Sequence, residues 1–377
     1  MYATEGFTGS DEWDLLKRYF PPGWEAAARS LGALRRGRGI RDPATLLRCL
    51  LVHLAEGCSL AETAVRVRAA GWAGVSAVAL FKRLRAAEEW LRWLAEQLWR
   101  QARPAPAVQG RRVRVVDATT VDEPGRTGSV WRVHYALNLA DLRCDFFQVT
   151  TPALGERFQR LPVQAGDVLL GDRAYGTPPG VAYVCQAGGD VVVRINLRML
   201  PLFTEQGRQL NILARLRTLR VGQVRAWPAW VHAAAGPLRG RLVAVRRSGV
   251  AARRAREQLQ RRASRRQRSV SAASMEAARY VFVWTSLPEA DYPPEAIMEL
   301  YRLRWQIELT FKRMKSLLGL GQLPKHSDAS ARAWLHGKLF VALLTEHLIE
   351  EASLFSPWGY ALETPPQPLA GDAFYGP

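Results

Sequence analysis

The sequence predicts an α/β fold: a mixed sheet with a β-rich insertion, preceded by an all-α N-terminal region. Apolar residues recur at helical spacing through about residue 108 and change to alternation from Arg111. Three alternating stretches then lead into two short apolar runs, VLLG and VVVRINL, with a helical stretch between them. That is a strand meander joined to a strand-helix-strand unit. A long amphipathic helix returns at residues 301–318.

In the N-terminal region Asp42 precedes Pro43, a capping residue followed by proline at the first helical position. This helix stops near Gly57. Ser59 caps the next, LAETAVRVRAA, with Glu62 three residues on as a capping box. After a turn at 71–74, Ser76 caps a helix expected to run unbroken through AVALFKRLRAAEEWLRWLAEQLWRQ. Helix, short glycine-containing turn, helix is the outline of a helix-turn-helix, and equally of any αα-hairpin. As a DNA contact it would use Lys82, Arg83 and Arg85. Pro-Ala-Pro at 104–106 reads as a linker.

RRVRVVDATTVDE is a strand entering a turn at 124–128, and SVWRVHYALNLA and CDFFQVTT are further strands joined by a turn around Asp141. VLLG is a buried strand with Asp172 at its end and a short helix after it. Residues 198–279 interrupt the pattern. RVGQVRAWPAWVHAAAGPLRGRLVAVRRSG reads as irregular β-structure with many turns. Residues 251–271 form a helical arginine run holding Arg253, Arg254, Arg256, Arg261, Arg262, Arg265, Arg266 and Arg268, either a solvated basic segment or a phosphate-binding surface. RYVFVWTSLP returns to strand, a last helix covers about 330–351, and a Pro- and Gly-rich tail follows, expected to be disordered. The expected division is 1–108 helical, 109–197 first part of the core, 198–279 insertion, 280–351 end of the core, and 352–377 tail.

The chain of 377 residues carries a formal charge of +19, which favours a polyanionic partner, nucleic acid above all. Only six residues are lysine, so the basicity is mostly arginine, and part of it reflects an Ala- and Gly-rich composition typical of GC-rich coding. Cys49, Cys58, Cys144 and Cys185 are scattered with no paired spacing, as in reduced cytosolic proteins rather than disulfide frames or zinc sites. The N-terminus lacks the pattern of a signal peptide, and no apolar run reaches the ~18 residues of a membrane span. A cytoplasmic protein with no membrane partner is expected.

Three carboxylates are placed for chemistry. Asp117 ends the apolar strand VRVV before Ala-Thr-Thr, and Asp172 ends VLLG before Arg-Ala-Tyr-Gly, where ligands of open α/β sheets gather. Glu308 lies on the helix of residues 301–318, whose apolar stripe of Leu300, Leu303, Ile307, Phe311, Met314 and Leu318 docks it on the core. Tyr301, Arg304, Glu308 and Lys315 share a second face of that helix, with Lys312 close by, and on an arbitrary helix such a face is simply solvated. Three carboxylates with little cysteine or histidine suit hard, oxygen-preferring cations, Mg²⁺ or Mn²⁺. Two such ions can serve phosphodiester cleavage. Asp122, Asp141, Asp145 and Asp167 read as turn or capping residues.

The stretches VVDATTV, LLGDRAYG and YRLRWQIELTFKRMK resemble the three signature blocks of the IS-four-type DDE transposases, bacterial insertion-sequence enzymes with a ribonuclease-H-like catalytic core. The resemblance covers about residues 40–350. The third block is the most specific: Tyr, two residues, Arg, three residues, Glu, six residues, Lys, met by Tyr301, Arg304, Glu308 and Lys315. WRVHYALNL and GERF are similar to the family as well. The resemblance implies that Asp117, Asp172 and Glu308 are catalytic and bind two ions, and that Tyr301, Arg304 and Lys315 hold transposon-end DNA. It further implies cleavage at terminal inverted repeats, strand transfer to target DNA, and a homodimer on paired ends. Family members can stack a flipped base on an aromatic near the strand before the third block; here Tyr280, Phe282 and Trp284 compete and spacing does not choose among them. A domesticated nuclease without strand transfer, or an inactive DNA-binding regulator, would carry the same blocks.

Overall fold

The structure is a computed structural model that describes residues 9–354 apart from 38, 102–109, 124–128, 266, 322, 325 and 326. The expected linker at 104–106, the turn at 124–128, Arg266 and the tail from 355 lie outside the described residues.

Among the described residues six helices precede the first strand: α1 (Gly9–Lys17), α2 (Trp24–Ser30), α3 (Pro43–Leu54), α4 (Leu60–Ala69), α5 (Ala77–Ala86) and α6 (Glu88–Gln101). Their starts follow local chemistry. Asp42 accepts from the Thr45 N–H, Ser59 from Glu62 and Ser76 from Ala79, each satisfying an otherwise orphaned donor. The helix expected to run unbroken from Ser76 divides at Ala87, whose N–H reaches both Arg83 and Leu84 carbonyls. Leu80 and Leu84 before the break and Trp90, Leu91 and Leu94 after it are all buried in the same apolar layer.

The sheet follows: β1 (Val113–Asp122), β2 (Ser129–Asn138), β3 (Cys144–Thr150), β4 (Val168–Gly171), α7 (Pro178–Gln186), β5 (Asp190–Arg194), α8 (Ile212–Arg217), β6 (Val224–Ala233), β7 (Gly236–Arg246), α9 (Gly249–Arg265), α10 (Ala272–Ala277), β8 (Tyr280–Thr285), α11 (Pro294–Arg302), α12 (Trp305–Leu317) and α13 (Asp328–Leu354). Its eight strands lie in the order β3-β2-β1-β4-β5-β8-β7-β6. β1, β4 and β5 are mutually parallel and every other pairing is antiparallel. β4 is buried along its whole length, as befits a central parallel strand covered on both faces. The segment expected to be irregular β-structure is instead one regular hairpin, β6–β7, added to this same sheet. Pro228 is tolerated because β6 is an edge strand, where a missing N–H breaks no inner ladder.

Two apolar layers sandwich the sheet. One holds Val113, Val115, Val168, Leu170, Val192, Val243, Val245, Val281 and Val283 together with residues of α2–α6, α11, α12 and α13. The other holds Val116, Leu169, Val191, Val193, Leu242, Ala244, Tyr280, Phe282 and Trp284 with residues of α7 and α8. The N-terminal helices therefore share their core with α13. They pack tightly there: a Cβ on Gly337 of α13 would come within 2.5 Å of Leu54 of α3. An Arg332–Glu88 ion pair joins α13 to α6.

The third sequence block is likewise two helices rather than one. Tyr301 lies in the last turn of α11, Leu303 and Arg304 form a tighter i→i−3 turn, and Glu308 and Lys315 lie in the first and last turns of α12. Leu303, expected in the docking stripe, is 36% exposed, while Leu300, Ile307, Phe311 and Met314 are buried.

Candidate active site

Asp117 stands on β1 opposite Tyr135 of β2, at the parity of Val113 and Val115, so it belongs to the face covered by α12. Its Oδ1 accepts from the Ala118 N–H at 2.8 Å. Asp172 follows β4 directly, and its Oδ1 caps the turn by accepting from the Ala174 N–H at 2.8 Å. The two carboxyls are close enough to oppose one another. Burial and the charge of Asp172 push Asp117 up to about 7, against a smaller downward pull from Arg304. Arg304 reaches Asp117 Oδ2 through Nη1 at 3.5 Å and pairs through Nη2 with Glu308 Oε1. One guanidinium thus ties the strand carboxylate to the helix carboxylate.

Tyr301 is buried beneath this pair. Its hydroxyl has no hydrogen-bond partner of good geometry, although Arg304 lies over its ring at 5.9 Å. Burial pushes the phenol upward, partly offset by Arg194 and Arg304. Lys312 and Lys315 are exposed on α12. In the N-terminal region Lys82 and Arg85 are exposed on α5, whereas Arg83 donates to the Arg36 carbonyl at 2.5 Å.

Four groups beside the carboxylates were not singled out from sequence. Arg173 follows Asp172, Arg194 ends β5 and Arg247 follows β7, and together they crowd one another. Burial first, then Arg194 and Arg247, lower Arg173 to about 10. The Nε atoms of Arg173 and Arg194 are buried without a partner. Glu156, in the loop after β3, faces Asp172: burial and the Asp172 charge raise it, and Arg132 at 3.8 Å draws it down. The only sequence signal for Glu156 was the GERF stretch, and the arginines were hidden among many others.

The remaining candidates separate by environment. Asp145 and Asp167 are structural. Arg114, 1% exposed, forks onto Asp145 at 2.7 and 2.9 Å and reaches Asp167 at 3.4 Å, while Arg112 forks onto Asp167 at 2.7 Å. Asp141 accepts from the Arg143 N–H in its turn. Tyr280, Phe282 and Trp284 are all buried in the layer on the opposite face of the sheet from Asp117, and Trp284 Nε1 donates to the Ala229 carbonyl. None of the three presents a ring toward the carboxylates.

Divalent cations suit this donor set in kind: oxygen ligands only, with Asp117 and Asp172 repelling one another until a positive charge lies between them. Among the described residues no three acidic, cysteine or histidine groups are drawn together closely enough to hold a metal, and Glu308 is instead held by Arg304. No described helix is long and apolar enough to cross a membrane.

The chain is similar to known proteins over most of its length. The Transposase DDE domain family matches residues 148–344, which takes in Asp172, Arg304 and Glu308. The chain is 35% identical over 356 residues to a protein of Escherichia coli (strain K12) named as a transposase, InsL, of insertion sequence element IS186A, covering 92% of this chain and 96% of that one. It is 34% identical over 357 residues to the transposase for insertion sequence element IS421 of Escherichia coli, with the same coverage. Asp117 lies midway along β1 and not, as expected, at a strand end, because pairing with β2 carries the strand on to Asp122. With that carboxylate beside the one that follows neighbouring β4, a third on the helix above them and this breadth of similarity, the chain belongs to the DDE transposase family, among the IS-four-type transposases of insertion sequences.

Proposed function

We propose that the chain folds around a ribonuclease-H-like core with a helical N-terminal region, and cuts the ends of an insertion sequence and joins them to target DNA at the Asp117–Asp172–Glu308 site. The observation that carries this reading is the opposed pair Asp117 and Asp172, beside the half-buried Arg173 and Arg194. Asp117, Asp172 and Glu308 would hold Mg²⁺ or Mn²⁺, two ions per site. When bound, these supply the Lewis acidity that activates an attacking oxygen and steadies the leaving one.

The residues of the chain do the rest. At neutral pH the Asp117 carboxyl holds its proton part of the time, because burial and Asp172 disfavour its charge. Arg304 is shared between Asp117 and Glu308, so a DNA phosphate that takes the guanidinium frees both carboxylates at once. Arg173, Arg194 and the Tyr301 hydroxyl offer unpaired donors to a phosphate beside the scissile one. Exposed Lys312 and Lys315 extend that contact along α12, and Lys82 and Arg85 give a second, N-terminal contact. Action as a homodimer on paired ends, in the cytoplasm on the host's DNA, completes the reading.

The test is strand cleavage of a duplex bearing the element's end in Mg²⁺. Asp172→Asn or Glu308→Gln is expected to abolish cleavage and leave end binding within a few-fold. Ordinary cleavage by either variant would remove that residue from the site. Cutting without joining to target DNA would identify a nuclease.

A further inference from the structure

The proposed cleavage site leaves one charged element unused. α9 holds six arginines and one glutamate, and none of its side chains is buried. Arg253, Arg254, Arg261, Arg262 and Arg265 are exposed, and among the described residues none of these five makes an ion pair. Only Arg256 turns inward, donating to the Met275 carbonyl at 3.3 Å. At 100° per residue Arg254, Arg261 and Arg265 fall within about 40° of one another, a stripe about 16 Å long opposite Ala252, Ala255, Leu259 and Ala263.

Such a helix is at odds with itself. It gains little from packing, and Arg261–Arg265 and Arg262–Arg265 repel at i,i+4 and i,i+3 spacing. A polyanion laid along the stripe converts that repulsion into attraction.

Topology says where the polyanion would lie. β7 runs antiparallel to β8 and β8 antiparallel to β5, so the end of β7, from which α9 departs, is at the same edge of the sheet as Asp172 and Arg194. Between β1, which carries Asp117, and β7 stand β4, β5 and β8. That is four strand spacings of about 4.8 Å, about 19 Å in all, or roughly six base steps of ~3.4 Å.

We propose that α9 is a clamp on the backbone of duplex DNA about six base pairs from the scissile phosphate, reading charge and not sequence. The proposal rests on the DNA-cleaving role assigned to Asp117, Asp172 and Glu308. A free solvated helix is the competing account.

The experiment compares the full-length protein with the triple variants Arg254→Gln/Arg261→Gln/Arg265→Gln and Arg254→Lys/Arg261→Lys/Arg265→Lys. Fluorescence anisotropy would follow binding to two duplexes of the element's end. Both extend about two helical turns either side of the cut; one is fully charged, and the other carries uncharged methylphosphonate linkages about four to eight base pairs from the cut on both sides. On the charged duplex the Gln variant is expected to bind about tenfold more weakly, with a salt slope shallower by about 2–3, one per lost phosphate contact. On the neutralised duplex it is expected to match the wild type, and the Lys variant should match on both. Equal binding of wild type and Gln variant to the charged duplex, equal loss on both duplexes, or a Lys variant as weak as the Gln variant would each overturn the clamp. Failure of the wild type to bind or cut the charged duplex would instead refute the transposase site on which it rests.

Discussion

Replacing Asp117 by Asn should stabilise the metal-free protein at pH 8. A carboxyl moved from 3.8 to about 7 carries, at 1.36 kcal/mol per tenfold, a penalty of about 4 kcal/mol when ionised in the fold. Relaxation around the site reduces this to about 1–3 kcal/mol. Asn keeps the acceptor for the Ala118 N–H and removes both the charge and its opposition to Asp172. The sign follows from linkage. The folded-state pKa lies above the unfolded one, so the carboxyl's contribution is fully present below about pH 4, declines as pH rises toward 7, and is absent at pH 8. Thermal unfolding in EDTA should therefore show Asp117→Asn melting a few degrees above wild type at pH 8 and level with it at pH 4. Adding Mg²⁺ should raise the wild type and leave the variant where it was, since binding stabilises only a fold that holds the ion. Cleavage is lost in the variant throughout. A variant less stable than wild type in EDTA at pH 8 would refute the reasoning, making Asp117 a net favourable partner of Arg304.

Two other perturbations test the frame. Burial raises Glu346 on α13 to about 7, the same direction of shift, so Glu346→Gln should gain about 1–2 kcal/mol in urea unfolding at pH 8 and nothing near pH 4. Arg114→Met strands Asp145, while Arg112 still holds Asp167, and should cost about 3–5 kcal/mol at pH 7, part of it recovered when Asp145 is also changed to Asn.

What could be read in advance depended on whether local chemistry or tertiary packing made the decision. The caps at Asp42, Ser59 and Ser76 act within three residues, and the alternation of β1 encodes which face each residue serves. Asp172 was legible for the same reason, since an acid just past an apolar strand has few places to go, whereas Asp117 was found by its apolar approach although its strand continues to Asp122. The breaks at Ala87 and at Leu303–Arg304 were not, because helical periodicity runs through both without a proline or glycine. Buried residues on both sides of each break belong to one apolar layer, so the breaks show only in the assembled fold. β6–β7 misled in the opposite direction. Its Pro228 and Gly240 look like strand breakers, yet one sits on an edge and the other makes room for Trp284, whose ring would lie 2.3 Å from a Cβ there.

The arginines pose the hardest case. Arg114, Arg194 and Arg254 are indistinguishable in a sequence so rich in that residue, and Arg304 is marked only by its place in the third block, yet the four stand in different electrostatic situations. Arg114 is buried between two acids and holds the sheet together. Arg304 bridges the strand and helix carboxylates. Arg194 is partly buried with an unpaired Nε, and Arg254 is exposed on a helix that gives it no counter-charge. Only the first is satisfied by the chain alone without engaging the proposed catalytic groups. For the others the missing or exchangeable partner is an anion, and they line one edge of one sheet. The positive charge of +19 is therefore informative through its placement: what the fold leaves unneutralised is the surface that DNA would cover.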